Sequence, residues 1–494
     1  MKLSELLNIG HNGADIEIFG IAADSREVKR GYLFVALPGL IYNGADFIDD
    51  AIDAGASAIL SIPKYKNNNN NNNNAVVWIT NKYPSKIFPK IVSKFFNLQP
   101  ENIAAVTGTN GKTSVSLFTQ QIWEKLDIKA ASLGTLGIQS GNYQKYTGLT
   151  TPDPIMIHRS LSDLYNLGVN HVVIEASSHG LDQRRLDGLN ISASAFTNLT
   201  HDHLDYHKTE AEYLNAKKRL FSDLMRPSST AVINIDSPFA SEIQEICISK
   251  SHKIITVGKS ESNIRLLNQR TSLTGQKISV VYEEKIYEIS LPLVGHFQAI
   301  NALMAVGLVI GCGGNAVHAL ETLSQLQPVR GRMELAGRHP NGATIFVDYA
   351  HTPDALKTVL QALKPHTKNE LKVIFGCGGN RDKAKRKIMG KLACNLADQV
   401  YVTDDNPRSE NPSMIRNEIL KECPGGHDVG ERLGAIKNAV SDLKPGDILL
   451  IAGKGHEQGQ VIGNNVINFD DVSVVCSTIL ALEKDEIENK KGLS

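Results

Sequence analysis

The segment TGTNGKTS (107–114) places glycines at 108 and 111, Lys112 between them and a hydroxyl pair, and Thr113 and Ser114 at its end. Glycine lets backbone amides approach an anion, a lysine there offers a point charge to β/γ-phosphate oxygens, and the Thr113 hydroxyl suits Mg²⁺. The loop follows the apolar run IAAV and leads into a helical pattern from about Ser114. A glycine-rich loop in that context cradles phosphate; the alternative is a plain strand-to-helix turn. Val106 stands where the common Walker pattern has glycine, so the loop is a compact variant. GCGGNR (376–381) carries Arg381 where a dinucleotide fingerprint needs its third glycine, and NKYP (81–84) lacks the Asp of a guanine-reading NKxD and precedes the loop. An adenine nucleotide is therefore expected.

Glu175 ends the apolar run HVVIE, and HDHLDYH (201–207) follows another, so a carboxylate and the His203 imidazole could meet near that loop. Tyr206 breaks the HxHxDH spacing of a metallo-β-lactamase zinc site. Oxygen ligands beside a phosphate loop suit Mg²⁺, although an imidazole in its shell is unusual and a lone histidine at a strand end is often structural. Thr209 and Glu212 form a capping box that opens a helix through Leu224. On that helix Tyr213, Leu220, Phe221 and Leu224 make one apolar stripe with Lys217 in its middle, while Lys218 and Arg219 point away. A lysine so placed either snorkels to water or loses its charge. A neutral amine is what CO₂ attacks, and the resulting carbamate would be an anionic metal ligand.

The chain that must position these groups has 494 residues with 52 basic and 52 acidic side chains, a balance that argues against a nucleic-acid backbone as partner. Six scattered cysteines suggest neither a disulfide framework nor a thiolate zinc site, and no run of 18 apolar residues or secretory leader is evident. A cytoplasmic monomer with no membrane insertion is expected. LFVAL (33–37), ASAILSI (56–62) and AVVWIT (75–80) read as strands of a small α/β unit, in which the eight asparagines 67–74 form a surface loop. IAAVTG, HVVIEAS, SASAFTN, AVINID and KIITVG alternate with helical patterns from Asn102 onward, and ATIFVDYAH, LKVIFGCGGN, QVYVTDDNPR and GDILLIAGKGHE do so past Gly331. Such alternation predicts an α/β protein of three domains, at 1–98, 99–331 and 332–494. The central domain has a mainly parallel sheet and the last is Rossmann-like, with polar residues at the strand ends as the place for chemistry.

TGTNGKTS, EASSHGLDQRR, NLTHDHLDYH, NAKKRLF, GRME, DYAHTPDAL, GCGGNRDK, DDNPR and AGKGHE occur in the order found in Mur ligases. Together they resemble the MurE branch of that family over almost the whole chain. The resemblance implies an ATP-dependent amide ligase of peptidoglycan precursor synthesis, acting on UDP-MurNAc-L-Ala-D-Glu, with a UDP-binding, an ATPase and an amino-acid-binding domain. It implies that Gly108, Thr109, Asn110, Gly111, Lys112, Thr113 and Ser114 hold ATP, with Asn301, Arg332 and Asp348 at adenine, phosphate and ribose. It makes Thr113, Glu175, His203 and a carbamylated Lys217 the Mg²⁺ ligands. Ser25, Thr150, Thr151, Ser177, Gln183 and Arg185 match contacts to the UDP-muramoyl peptide, whereas the loop GLIYNG (39–44) departs from the family pattern. Asp405, Asn406, Pro407 and Arg408, with Arg381, Gly453 and Glu457, resemble the pocket of members that add meso-diaminopimelate; lysine-adding members do not keep the arginine of that motif. Lysine as the added residue, or a folylpolyglutamate synthetase-like ligase, are the alternatives.

Overall fold

A computed structural model describes residues 1–7, 15–39, 42–65, 76–141, 143–203 and 206–492; the asparagine tract expected to form a surface loop lies outside them. Three α/β units follow one another along the chain. In the first, strands Gly20–Ala22, Tyr32–Val35, Ala58–Ser61 and Val77–Thr80 pair in that order, all parallel. Helix Pro84–Phe96 packs on this sheet through Phe88, Ile91 and Val92. Ile155 from the next unit joins the same core, and Ser93 Oγ donates to Gly188 O at 2.9 Å, so the two units share a packed seam.

The central sheet has eleven strands. Its middle is the parallel series Lys253–Gly258, Met225–Asn234, Ile191–Phe196, Asn102–Thr107, His171–Glu175 and Ala130–Gly134. Side chains from Ile103 to Val106 are wholly buried, as expected where helices cover both faces. The apolar helix Phe297–Gly311 and the helix Lys112–Lys125 cover one face, and Ile157, Leu161, Tyr213 and Phe221 cover the other. Antiparallel strands extend both edges: Gly137–Ser140 and Tyr143–Lys145 on one side, and the pairs among Ile264–Ser272, Gly275–Tyr282 and Lys285–Leu291 on the other. Those strands did not stand out in the sequence, because they are half-exposed and carry polar residues rather than the continuous apolar runs of the buried series.

The third sheet has the order Glu334–Arg338, Thr344–Asp348, Ile448–Ala452, Leu371–Phe375, Gln399–Thr403 and His427–Gly430, parallel except for the first pair. Four of its strands end in DYAH, AGKGHE, GCGGNR and DDNPR, so these loops share the carboxyl edge where ligands sit in open parallel sheets. Leu273, Val294 and Phe297 of the central unit pack on the core of this third unit, which includes Met333. Among the described residues no helix is long and apolar enough to cross a membrane.

Candidate active site

The phosphate loop is built by close backbone approach. Gly108 has φ 149°, and a Cβ there would lie 1.9 Å from Thr197 Oγ1; Gly111 has φ 88° and faces Asn301 Oδ1. Thr197 Oγ1 donates to Asn110 O at 2.6 Å, and Asn198 Oδ1 accepts from Asn110 N, so the strand end 196–198 shapes the loop. Helix Lys112–Lys125 starts within the loop, two residues earlier than its pattern suggested, and its buried first turn aims amides at the cradle. Lys112 Nζ donates to the carbonyls of Gly108 and Thr109 at 2.9 and 2.8 Å. Desolvation lowers its pKa, with Glu175 and Asp202 opposing that effect. Ser114 is buried on the same turn, and Thr109 Oγ1 lies 3.1 Å from Tyr213 Oη.

Thr113 Oγ1 donates to Glu175 Oε2 at 3.0 Å, whereas the carboxylate that lies beside the His203 imidazole is that of Asp202. Glu175 also accepts from Thr135 N at 2.8 Å and from Thr135 Oγ1 at 3.1 Å. Thr135 was not singled out in the sequence, since it sits in the turn between strands Ala130–Gly134 and Gly137–Ser140, outside any motif. His203 adopts φ 55° beside Asp202, with Nε2 3.4 Å from Asp202 Oδ2, and its ring stands against those of His179 and Tyr213. Burial pushes its pKa down to about 3. Lys217 does not snorkel. It is 1% exposed, lies 4.4 Å over the Tyr213 ring, and donates from Nζ to Gly108 O at 2.8 Å. Desolvation, then repulsion from Lys112, holds its pKa well below the usual lysine value. Helix Glu210–Arg219 begins with Thr209 Oγ1 accepting from Glu212 N and ends in a π turn, Leu220–Leu224. Arg219 differs from its expected outward course: it turns to the buried Asp187 and donates to both its oxygens at 2.6 and 2.7 Å.

The donor set fits a hard dication at Thr113 and Glu175. Among the described residues no cluster of three His, Cys, Asp or Glu forms a ready cage. Two amines, Lys112 and Lys217, share this small volume, so an anionic group on Lys217 would relieve their repulsion.

Beside the loop a cleft of about 400 Å³ is lined by Asn198, Asn234, His296, Phe297, Ile300 and Asn301, among others. Asn301 Nδ2 donates to Gln298 Oε1, leaving Oδ1 toward Gly111. His296 and Phe297 escaped notice because they sit at a helix start outside any motif. Arg332 Nη2 donates to Thr113 Oγ1 at 3.1 Å, and its guanidinium stacks 4.4 Å over Tyr349. Asp348 ties the backbone after Arg332 to its own strand end, accepting from Met333 N and Ala350 N at 2.7 Å each; burial raises its pKa while Arg332 opposes.

Thr150, Thr151, Ser177, Gln183 and Arg185 form one connected group next to Glu175. Thr151 Oγ1 donates to Glu175 O and accepts from Ser177 N and Oγ, Thr150 Oγ1 lies 3.0 Å from Thr135 Oγ1, and Arg185 reaches Thr151 O and Gln183 Oε1. Ser25 is separate, on the turn Ser25–Glu27 of the first unit.

The third unit contributes the last group. Asn406 Nδ2 donates to Glu457 Oε2 at 3.0 Å, and the buried Lys454 donates to Asn406 Oδ1 and Glu457 Oε2. Gly453 lies close to Asp405 Oδ2, and Gly379 N donates to Asn406 O while a Cβ on Gly379 would strike Pro407 O. Arg408 has φ 53°, and its Nη1 donates to Gly379 O at 2.8 Å. Desolvation, then Arg381, lowers its pKa, while Asp405 and Glu457 raise it. Asn110 Nδ2 donates to Asp354 Oδ2 at 3.0 Å and His201 lies 3.6 Å from Asp382, so the third unit reaches back to the phosphate loop.

A phosphate cradle, a buried amine beside it and a polar pocket facing it from a second parallel sheet define an anion-activating transferase or ligase site. The comparisons narrow that class. Residues 17–95 match the Mur ligase family catalytic domain, 106–309 the Mur ligase middle domain, and 331–455 the Mur ligase glutamate ligase domain. A UDP-N-acetylmuramoyl-L-alanyl-D-glutamate--2,6-diaminopimelate ligase of Bradyrhizobium diazoefficiens is 45% identical over 489 residues, covering 97% of this chain and 99% of its own. The protein of the same name from Zymomonas mobilis is 46% identical over 470 residues, 94% and 96% of the two chains. A solved structure bearing that name superposes with TM-score 0.70 at 31% identity, over 98% and 99% of the chains. A Mycobacterium tuberculosis folylpolyglutamate synthase complexed with ADP shares the fold, with TM-score 0.63 at 17% identity over 80% of this chain and 93% of its own. The chain belongs to the Mur ligase family.

Proposed function

We propose that the chain joins an amine of meso-diaminopimelate to the γ-carboxylate of D-Glu in UDP-MurNAc-L-Ala-D-Glu, using ATP, in peptidoglycan precursor synthesis. The observation that carries the choice of amino acid is Arg408, held among Gly379, Asn406, Asp405 and Glu457 on the edge that faces the phosphate loop. Its guanidinium suits a second carboxylate, which diaminopimelate has and lysine lacks. The full-length relatives named for this reaction support the same reading.

An amide cannot form from a carboxylate without a leaving group better than oxide. The γ-phosphoryl of ATP passes to the D-Glu carboxylate, giving an acyl phosphate; the amine attacks its carbonyl, and phosphate leaves from the tetrahedral intermediate. Gly108 to Ser114 cradle the phosphates, with Lys112 meeting the transferring charge and Arg332 beside it. Asn301 with the His296–Phe297 cleft takes adenine, and Asp348 fixes the turn near ribose. Thr113, Glu175, His203 and a carbamylated Lys217 would hold Mg²⁺, which when bound would supply charge neutralisation for the departing diphosphate. Thr150, Thr151, Ser177, Gln183, Arg185 and, from the first unit, Ser25 hold the UDP-muramoyl peptide. Asp405 to Arg408, with Arg381, Gly453 and Glu457, hold the incoming amino acid. The three domains 1–98, 99–331 and 332–494 divide these tasks.

Phosphate release from ATP tests the reading when assayed with UDP-muramoyl dipeptide alone, with added meso-diaminopimelate, and with added lysine. Release that needs diaminopimelate is expected; release that needs lysine instead, or a folate substrate, overturns it.

A further inference from the structure

Strand Gly459–Ile462 and the Gly463 that follows it lie beside the 404–408 loop and hold it by five hydrogen bonds. Gln460 Nε2 donates to the carbonyls of Asp405 at 2.7 Å and Asp404 at 3.3 Å. Val461 N donates to Asn406 Oδ1 at 2.9 Å, Arg408 N to Val461 O at 3.1 Å, and Gly463 N to Arg408 O at 2.8 Å. Gln460 is 8% exposed, so its amide has little water to replace these partners. Arg408 sits in the left-handed region, which a residue with a Cβ keeps only when its surroundings impose it. The two backbone bonds to 461 and 463 impose it, and Gln460 fixes the approach of the chain three and four residues earlier.

We propose that Gln460 is a positioning residue for amino-acid selectivity. By holding the carbonyls of 404 and 405 it sets the backbone from which Arg408 projects, and so the direction in which the guanidinium meets the distal group of the amino acid. This rests on the reading of the third unit as the amino-acid pocket. Gln460 itself does not touch the substrate; its two donors are both spent on the loop.

The test is full steady-state kinetics of the intact chain with Gln460→Met, which keeps length and removes both donors. Relative to wild type, KM for diaminopimelate is expected to rise about 10-fold or more, and the preference for diaminopimelate over lysine to fall in step. The kcat and the KM values for ATP and UDP-muramoyl dipeptide should stay within about 2-fold, because those groups are held by the central unit. An unchanged KM and preference overturns the proposal, as does an equal rise in all three KM values. Should Gln460→Met fail to fold, Gln460→Asn carries the same test, with a smaller fall in preference expected and a wild-type ratio overturning it. A wild-type chain that uses lysine refutes the functional reading, and the variant's KM for lysine then still decides whether Gln460 positions the pocket.

Discussion

Lys217 and Arg408 are the two side chains that set the proposed site apart from a generic nucleotide-binding loop. Lys217 is buried with its amine on Gly108 O, and desolvation favours the neutral amine, the form that attacks CO₂. Lys217→Ala should lower turnover about 100-fold or more, with thermal unfolding little changed and the wild-type mass of one bound CO₂ lost in native mass spectrometry. A fully active enzyme bearing a plain amine would sink the carbamate. Arg408→Ala should reduce kcat/KM for diaminopimelate by about 30-fold to several-thousand-fold, corresponding to about 2 to 5 kcal/mol for a buried charge pair with one partner gone. Activity with lysine should change little; measuring both amino acids with both proteins checks it, and an unaltered ratio counts against the assignment. Gly108, Lys112 and Thr113 were legible because their chemistry depends on adjacent residues. Thr135 and Gln460 were not, because each acts through a partner 40 or 55 residues away, and His296 was not because it lies at a helix start outside any motif.

Elements fail or hold according to what their termini and buried faces contain. Helix Pro154–Asn166 presents His158 to the turn at Asp187, where Nε2 meets the Asp187 carbonyl at 3.3 Å and Nδ1 has no partner. Protonating Nδ1 would bury an unpaired charged donor, and desolvation accordingly pushes this histidine down to about 4. Between that value and the unfolded one near 6.5 the unfolded chain binds more protons, so stability is present above about 6.5 and is lost as pH falls toward 4. Urea midpoints at pH 7 and 5 should show that loss, and His158→Gln should make it shallower; an identical slope in the variant would exclude the histidine as its source. At this scale the parallel strands were readable from continuous apolar runs such as Ile103–Val106, wholly buried in the sheet. The antiparallel series from 264 to 291 alternates buried and exposed residues, a weaker signal that is easily mistaken for loop when polar residues dominate.

Across the whole molecule, the proposed nucleotide and peptide contacts lie mainly on the central unit, with Ser25 on the first, while the proposed amino-acid contacts lie on the third, and all must converge on one carboxylate. Arg332–Thr113 and Asn110–Asp354 are the bonds that span the phosphate loop and the third unit. Such spanning contacts are those that relative movement of units makes and breaks. Solution scattering should therefore report a more compact particle with ATP, UDP-muramoyl dipeptide and amino acid than without them. Asp354→Ala should weaken that compaction while leaving each unit folded, and a profile that ignores ligands would oppose this view.

The strand order of the third sheet also bears on how the chain is made. Ile448–Ala452 lies between Thr344–Asp348 and Leu371–Phe375, though it is translated after both. Until it emerges from the ribosome, the two earlier strands have no neighbour in the middle of their own sheet and present open edges at which chains pair wrongly. The first two units precede this sheet in the chain, whereas the proposed amino-acid pocket, which includes Gly453 and Glu457, cannot form before residue 457 has been added. A nascent chain stalled short of 448 thus carries two unpaired sheet edges that only the completed fold covers.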